Sequence, residues 1–174
     1  MQKYEKYINL LLKYNKIHKL SGAKTPDEVM EHIDDSLYIR KFIDFKKIES
    51  ILDIGTGAGF PGMVLAIQYP HIHFTLVEPL QKRVAFLYLI KSEYGLENVK
   101  IVADRVENIK SFKVDLITSR AVTKTKALLD LAKDFIRSDT LVLLFKGSSV
   151  DEELSSDLNY KIFPRGNRNY LLLE

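Results

Sequence analysis

The chain has 174 residues, 46% of them hydrophobic and 28% charged, a size and balance that fit one globular domain with a sizeable core. It contains no cysteine, which excludes disulfides, thiolate metal sites and thiol nucleophiles together. The net charge is only +3, yet residues 1 to 24 carry six lysines against the single acid Glu5, a local basic excess that suits either a polyanion or a solvated helix face.

In the first twenty residues Ile8, Leu11, Leu12 and Tyr14 to Ile17 recur at helical spacing between lysines, which predicts an amphipathic helix. The same lysines break any continuous apolar stretch, so the segment does not read as a secretory signal, and no apolar run nears the roughly 20 residues that span a bilayer. The expectation is a cytoplasmic, monomeric protein with no membrane association. Thr25, Pro26 and Glu28 form a capping-box pattern that starts a second helix, which runs on or restarts near Asp35 toward Phe45. On it, His32 and Asp35 are expected to make a local helix-end contact.

From about residue 50 short apolar runs alternate with helical segments, an α/β pattern. Strands are predicted at about 50 to 54, 73 to 78, 99 to 103, 114 to 118, 140 to 145, 158 to 163 and 169 to 173. Helices are predicted at about 60 to 69, 80 to 94 and 124 to 137, with a short one near 150 to 156. The first four strands have near-continuous apolar cores such as FTLV and VDLI, as expected of parallel strands covered on both faces. The turn-like PRGNRN makes the last two strands an antiparallel hairpin.

The main chemical signal is ILDIGTGAGFPG at 51 to 62, a strand ending in a glycine loop with Pro61 at the start of a helix. Gly55, Gly57 and Gly59 leave little bulk, so the backbone turns tightly and a ligand can approach its N–H groups. The stretch also satisfies the dinucleotide pattern through Gly57, Gly59 and Gly62, and in both cofactor classes an acid ends the second strand. Glu78 is that acid, placed to accept ribose hydroxyls or else to cap the next helix. Three features favour S-adenosylmethionine over a nicotinamide dinucleotide: Asp53 two residues before Gly55, Asp104 and Glu107 just past the third strand, and the terminal hairpin.

These motifs resemble the small-subunit (16S) ribosomal RNA guanine-N7 methyltransferases, the glucose-inhibited-division protein B family. The likeness covers nearly the whole chain, through LLKYNKIHKLSGAKTPDEVMEHIDDSL, LDIGTGAGFPGMVLAI, TLVEPLQKRVAFL, Arg105-Val106-Glu107, ITSRAV and LLFKG. It implies a Rossmann-like methyltransferase fold, a mostly parallel seven-stranded sheet with an antiparallel last strand. Residues 1 to 48 would be an N-terminal helical extension packed on a core of 49 to 174, together one methyltransferase domain. It implies cofactor contacts at Gly55, Phe60, Val106, Glu107 and Arg120, with Gly57 in the loop and Glu78 at the ribose. The implied partner is small-subunit ribosomal RNA or the small ribosomal subunit.

The residues themselves agree with N7 chemistry. Methylating carbon 5 of a pyrimidine needs a cysteine nucleophile, which is missing. Methylating an exocyclic amine uses an Asn/Asp-Pro-Pro-aromatic turn where this chain reads TSRAV. Guanine N7 has a free lone pair and needs alignment rather than a base. Arg120, ending the fourth strand, and Lys146, ending the fifth, are positioning candidates, each weighed against an ordinary surface role. Lys146, Lys82, Arg83 and Arg165, with Arg168, are candidate RNA contacts. His18, His32, His71 and His73 lack metal spacing, and no metal is expected. Two other readings stay open: a nicotinamide-dependent oxidoreductase, and a catalytically weak ribosome-associated RNA-binding protein.

Overall fold

The computed structural model describes residues 2–120, 124–147 and 159–173. The short helix expected near 150 to 156 lies outside these residues.

The amino-terminal helix α1 (Glu5–His18) buries Tyr7 and Leu11 and ends at Lys19, whose left-handed backbone lets its N–H donate to the Asn15 carbonyl at 3.1 Å. Ile17, apolar by type, is 75% exposed at the end of this helix. Helix α2 (Pro26–Tyr38) starts where the capping pattern puts it: Thr25 Oγ1 accepts from the Glu28 N–H at 3.3 Å. The return bond differs from the expected box, since the Glu28 carboxylate accepts from Lys24 N at 2.5 Å rather than from Thr25. Past Tyr38 the chain tightens into 3-10 turns at Ile39–Lys41 and Phe45–Lys47, so the second helix neither runs on to Phe45 nor restarts at Asp35.

Seven strands follow: β1 (Ser50–Ile54), β2 (His73–Val77), β3 (Val99–Val102), β4 (Leu116–Arg120), β5 (Leu141–Lys146), β6 (Tyr160–Arg165) and β7 (Arg168–Leu173). They form one sheet in the order β3-β2-β1-β4-β5-β7-β6, parallel from β3 to β5, with β7 antiparallel to both its neighbours. This is a Rossmann-like fold with the antiparallel ending that the sequence implies. The hairpin turns through Gly166 at φ 58°, a left-handed position that glycine takes without steric cost. Strand β4 runs two residues later than its apolar pattern suggested, because Thr118 and Ser119 are buried as hydrogen-bonded strand residues and Arg120 still pairs with Phe145.

Alternating strand residues feed two cores. Ile51, Phe74, Leu76, Leu116 and Leu143 face α1, α2, α3 (Gly62–Gln68) and α4 (Gln81–Tyr94); Leu52, Val77, Ile117 and Leu144 face α5 (Thr125–Ala132). The N-terminal helices therefore belong to the first core. Tyr7 fixes them to the glycine loop: fully buried, it donates its hydroxyl proton to the Ala58 carbonyl in a short hydrogen bond. Tyr7→Phe leaves that buried carbonyl unsatisfied and is expected to lower unfolding free energy by about 1 to 3 kcal/mol, read from the urea midpoint. An unchanged midpoint would show that the bond contributes nothing net.

Candidate active site

The glycine loop leaves β1 at the centre of the sheet and is pinned to the end of β2, where Gly55 and Thr56 donate to the Val77 carbonyl at 2.9 and 3.1 Å. Gly55, Gly57 and Gly59 all have positive φ, at 69°, 62° and 98°. Their roles differ. A side chain on Gly57 would meet nothing nearer than the Gly55 carbonyl at 4.0 Å, whereas one on Gly59 would lie 2.7 Å from Met63 Cβ and press on the Tyr7 hydroxyl. One on Gly62 would lie 2.6 Å from the Asp53 carboxylate. Of these three, Gly57 faces open space, whereas Gly59 and Gly62 are demanded by packing.

Asp53 is fully buried beneath the loop, accepting from the Gly62 N–H at 2.9 Å and the Thr118 hydroxyl at 2.7 Å. Burial pushes its carboxyl up to about 6. Glu78, just past β2, accepts from the Gly57 N–H at 3.0 Å and the Leu80 N–H at 2.9 Å, with Arg83 3.6 Å away. It thus braces both the loop and the entry to α4. On the other side of β1, Arg120 at the end of β4 donates to His32 Nδ1 at 2.7 Å. Phe60 packs against both, 5.3 Å from the His32 ring and 5.8 Å from the Arg120 guanidinium.

These residues enclose a cavity of about 620 Å³ at the carboxyl ends of the strands, lined by the loop from Gly55 to Ala58, Phe60, Glu78, Arg83, Arg120, His32 and Ser21. Arg83 Nε and Arg120 Nη1 are buried without hydrogen-bond partners. Together with the open space at Gly57, they fit a polar ligand of nucleoside size.

The family model for rRNA small subunit methyltransferase G matches residues 1–166. The chain belongs to that family. It is 48% identical over 171 residues to ribosomal RNA small subunit methyltransferase G of Wolinella succinogenes, covering 98% of this chain and 88% of the relative. The same-named protein of Aliarcobacter butzleri is 45% identical over 172 residues, again covering 98% and 88%. Among solved structures, a mutant of MtNAS in complex with S-adenosylmethionine superposes with TM-score 0.66 at 13% identity, over 99% of this chain and 74% of that one. A SAM dependent methyltransferase from Aquifex aeolicus gives 0.63 at 16% identity, over 80% and 88%.

In this member of the methyltransferase G family, the cavity brings together six residues singled out by sequence: Gly55, Gly57, Phe60, Glu78, Arg83 and Arg120. Val106 and Glu107 lie on a 3-10 turn past β3, Val106 buried in the second core and Glu107 exposed, and neither lines the cavity. Lys82 is exposed on α4, and Lys146 is half-buried at the end of β5. Arg165 is engaged internally, donating to Asp35 at 2.9 Å and lying over the Tyr38 ring, and Arg168 pairs with the same carboxylate. His32 and Asp35 do not form the expected local contact: His32 reaches Arg120, and Asp35 reaches Arg165, Arg168 and Tyr170. Helical spacing puts both on one face of α2, which is turned toward the sheet rather than toward a helix end. Tyr7 lies outside the motifs, and Ser21, although inside the N-terminal one, has no catalytic or ligand-binding pattern around it, so neither was expected at the site.

Arginine only donates, so His32 Nδ1 is an acceptor and the imidazole is neutral with its proton on Nε2. Burial, then the charges of Arg120 and Arg168, lower its pKa to about 4. Because this lies below the unfolded value near 6.5, the contact stabilises fully above about 6.5 and is lost as pH falls through 4. NMR should find the His32 ring neutral down to about pH 5; a midpoint between 6 and 7 would refute the geometry. A second expectation separates the glycines. Gly62→Ala should cost about 1 to 3 kcal/mol of stability through overpacking against Asp53. Gly57→Ala should cost about 1 to 2 kcal/mol for its left-handed backbone and in addition weaken cofactor binding, which Gly62→Ala corrected for folding should not. Denaturation midpoints and calorimetric titration with S-adenosylmethionine decide.

Proposed function

We propose that the protein transfers the methyl group of S-adenosylmethionine to N7 of a guanosine in small-subunit ribosomal RNA, acting as a monomeric, cytoplasmic enzyme built as one domain. The reading rests on the cavity that groups Gly57, Glu78, Phe60 and Arg120 in a chain of the methyltransferase G family. No helix among the described residues is long and apolar enough to cross a membrane.

A nicotinamide dinucleotide would need Gly59 free for its pyrophosphate and the next helix N-terminus free to receive it. Here Gly59 is covered by Tyr7, and the Gly62 N–H at the start of α3 is taken by the Asp53 carboxylate, which would repel a phosphate. A neutral sugar with two hydroxyls suits Glu78 better: each carboxylate oxygen already accepts one backbone N–H and keeps a lone pair for a hydroxyl. We assign Gly55, Gly57 and Phe60 to the walls of the cofactor site, and Val106 with Glu107 to the base beyond β3.

When bound, S-adenosylmethionine supplies an electrophilic methyl on a sulfonium. The chain's part is orientation and exclusion of water. Arg120, fixed by His32 and braced on Phe60, holds its guanidinium as a rigid donor on the cavity wall, suited to a carboxylate or to guanine O6. We assign Lys146, ending the adjacent strand, to orienting the guanine or a phosphate, and Lys82 with Arg83 to the RNA-facing rim; Arg165, proposed for the same rim from sequence, is taken up by Asp35. Among the described residues no lining side chain is set up as a base, because His32 Nδ1 already accepts from Arg120 and both Glu78 oxygens accept from backbone amides. Guanine N7 is an acceptor that demands none.

Single-turnover methylation should therefore be nearly flat with pH from about 7 to 9 and fall only below about 6, where Asp53 takes up a proton and its hold on the loop weakens. Arg120→Ala should slow transfer at saturating RNA and cofactor without creating a pH dependence. Base-resolved mapping should locate one new N7-methylguanosine in small-subunit RNA. A rate rising tenfold per pH unit through neutrality, or methyl on a ribose hydroxyl, would overturn the N7 assignment.

A further inference from the structure

The cofactor cavity has a continuation that the functional reading leaves unused. Beside it lies a groove of about 530 Å³ lined by Lys16, Lys19, Lys24, Asn15, Ser21 and Gly22 among others. The two share Ser21. A smaller hollow of about 360 Å³ also joins them, meeting the cavity at His32 and the groove at Gly22 and Lys24. We propose that this groove over the α1–α2 loop takes the backbone phosphates of the RNA strand flanking the base delivered to the cavity, with Lys16, Lys19 and Lys24 as the phosphate contacts.

Three observations set it apart from an ordinary solvated lysine face. First, such faces interleave acids that form i, i+4 pairs with the lysines, whereas no acid occurs between Glu5 and Asp27. Among the described residues Lys13, Lys16, Lys19 and Lys24 are exposed and none makes an ion pair. Their charge is left for an external anion.

Second, the loop is prebuilt. The Asn15 side chain donates to Ser21 Oγ at 2.9 Å and to the Ala23 carbonyl at 2.6 Å, while its oxygen accepts from Ser21 N at 2.9 Å. With Lys19 held in its left-handed turn, one side chain fixes the backbone that carries all three lysines. Little further ordering of this backbone is required on binding.

Third, the groove's neighbours carry the opposite sign: the adjoining hollow is lined by Glu28 and Glu31. A polyanion is thereby held to the lysine side, where Ser21 leads into the cavity. The exposed Ile17 lies on the same helix end as Lys16 and offers an apolar surface to an unstacked base.

This inference rests on the proposed RNA methylation, and the test separates the two. The substrate is whichever of protein-free small-subunit RNA or small subunits the full-length protein methylates. The triple variant Lys16→Ala, Lys19→Ala, Lys24→Ala should lower the log–log salt slope of RNA binding by about 2, at roughly 0.7 per phosphate. Raising salt from 50 to 200 mM should thus cost the wild type about 20-fold more affinity than the variant. Its KM for RNA should rise, with kcat at saturating RNA and affinity for S-adenosylmethionine unchanged. A control triple, Lys46→Ala, Lys47→Ala, Lys133→Ala, changes net charge equally in the turns that precede β1 and β5, at the amino ends of the parallel strands and opposite the cavity, and should leave the slope alone. An unchanged slope in the first triple, or an equal drop in the control, rejects the groove while methylation stands. A wild type that methylates neither substrate rejects both.

Discussion

The buried carboxylate of Asp53 is the constraint on which the site is built. It is fully out of water, where an ionised carboxylate is tolerated only if it is well hydrogen-bonded. Gly62 N–H and the Thr118 hydroxyl supply those bonds, joining β1 to the start of α3 and to β4. Gly62 can be nothing larger, since a side chain there would collide with the same carboxylate. Burial nonetheless raises its pKa to about 6, so these bonds do not fully offset the loss of water. The sign matters: the folded state takes its proton first, so the cost is greatest above about pH 6 and is relieved toward 3.8. Near neutrality the fold therefore keeps an acid under the loop at some expense in stability. In return the loop is held open at Gly57, and anions are kept from the helix N-terminus.

A second buried acid does for Arg120 what Asp53 does for the loop. Asp35, on α2, receives Arg165 and Arg168 from the terminal hairpin and the hydroxyl of Tyr170, and its second oxygen lies 4.0 Å from Arg120. Phe42 and Phe163 stack beside it with ring centroids 4.0 Å apart, closing the gap between the N-terminal turns and β6. The helical extension, the central strand β4 and the antiparallel hairpin thus meet at one carboxylate. Arg120 owes its position to segments more than eighty residues away in sequence, since its direct partner is His32 on α2. Three guanidinium groups around one acid leave a positive excess at the carboxyl edge of the sheet, the sign an RNA substrate requires.

The sequence was most legible where local rules act alone. The apolar runs gave all seven strands to within two residues, and PRGNRN gave the hairpin, because strand period and turn chemistry are short-range properties. The glycine loop and Glu78 were legible for the same reason. Long-range pairing was hidden: nothing in the spacing of His32 and Asp35 tells that one reaches β4 and the other β6 and β7, so a local contact was the natural expectation. Gly59 illustrates the same limit. Its place in the motif suggests ligand approach, but its partner is Tyr7, fifty-two residues earlier and visible only once α1 is docked. Ile17 fails in the opposite direction, apolar by type yet left in solvent, because α1 meets the core through buried Tyr7 and Leu11 with partly buried Ile8, Leu10, Leu12 and Tyr14, and Ile17 lies past the last of them.

The N-terminal helices emerge as part of the catalytic architecture and not as an attachment to it. Tyr7 covers Gly59, His32 fixes Arg120, and Ser21 belongs to the wall of both the cofactor cavity and the lysine groove. A glycine loop at the end of β1 could hold a nucleoside without them, but its outer side would be open to water and Arg120 would lack its acceptor. Placing a lysine-rich loop on the same two helices couples these duties geometrically. A strand following Lys16, Lys19 and Lys24 reaches the cavity past Ser21, and the guanidinium it meets there is already held by His32 from the helix that follows that loop. For an acceptor such as guanine N7, which asks for alignment and exclusion of water more than for proton transfer, a rigid shared wall is the kind of catalyst the chemistry can use.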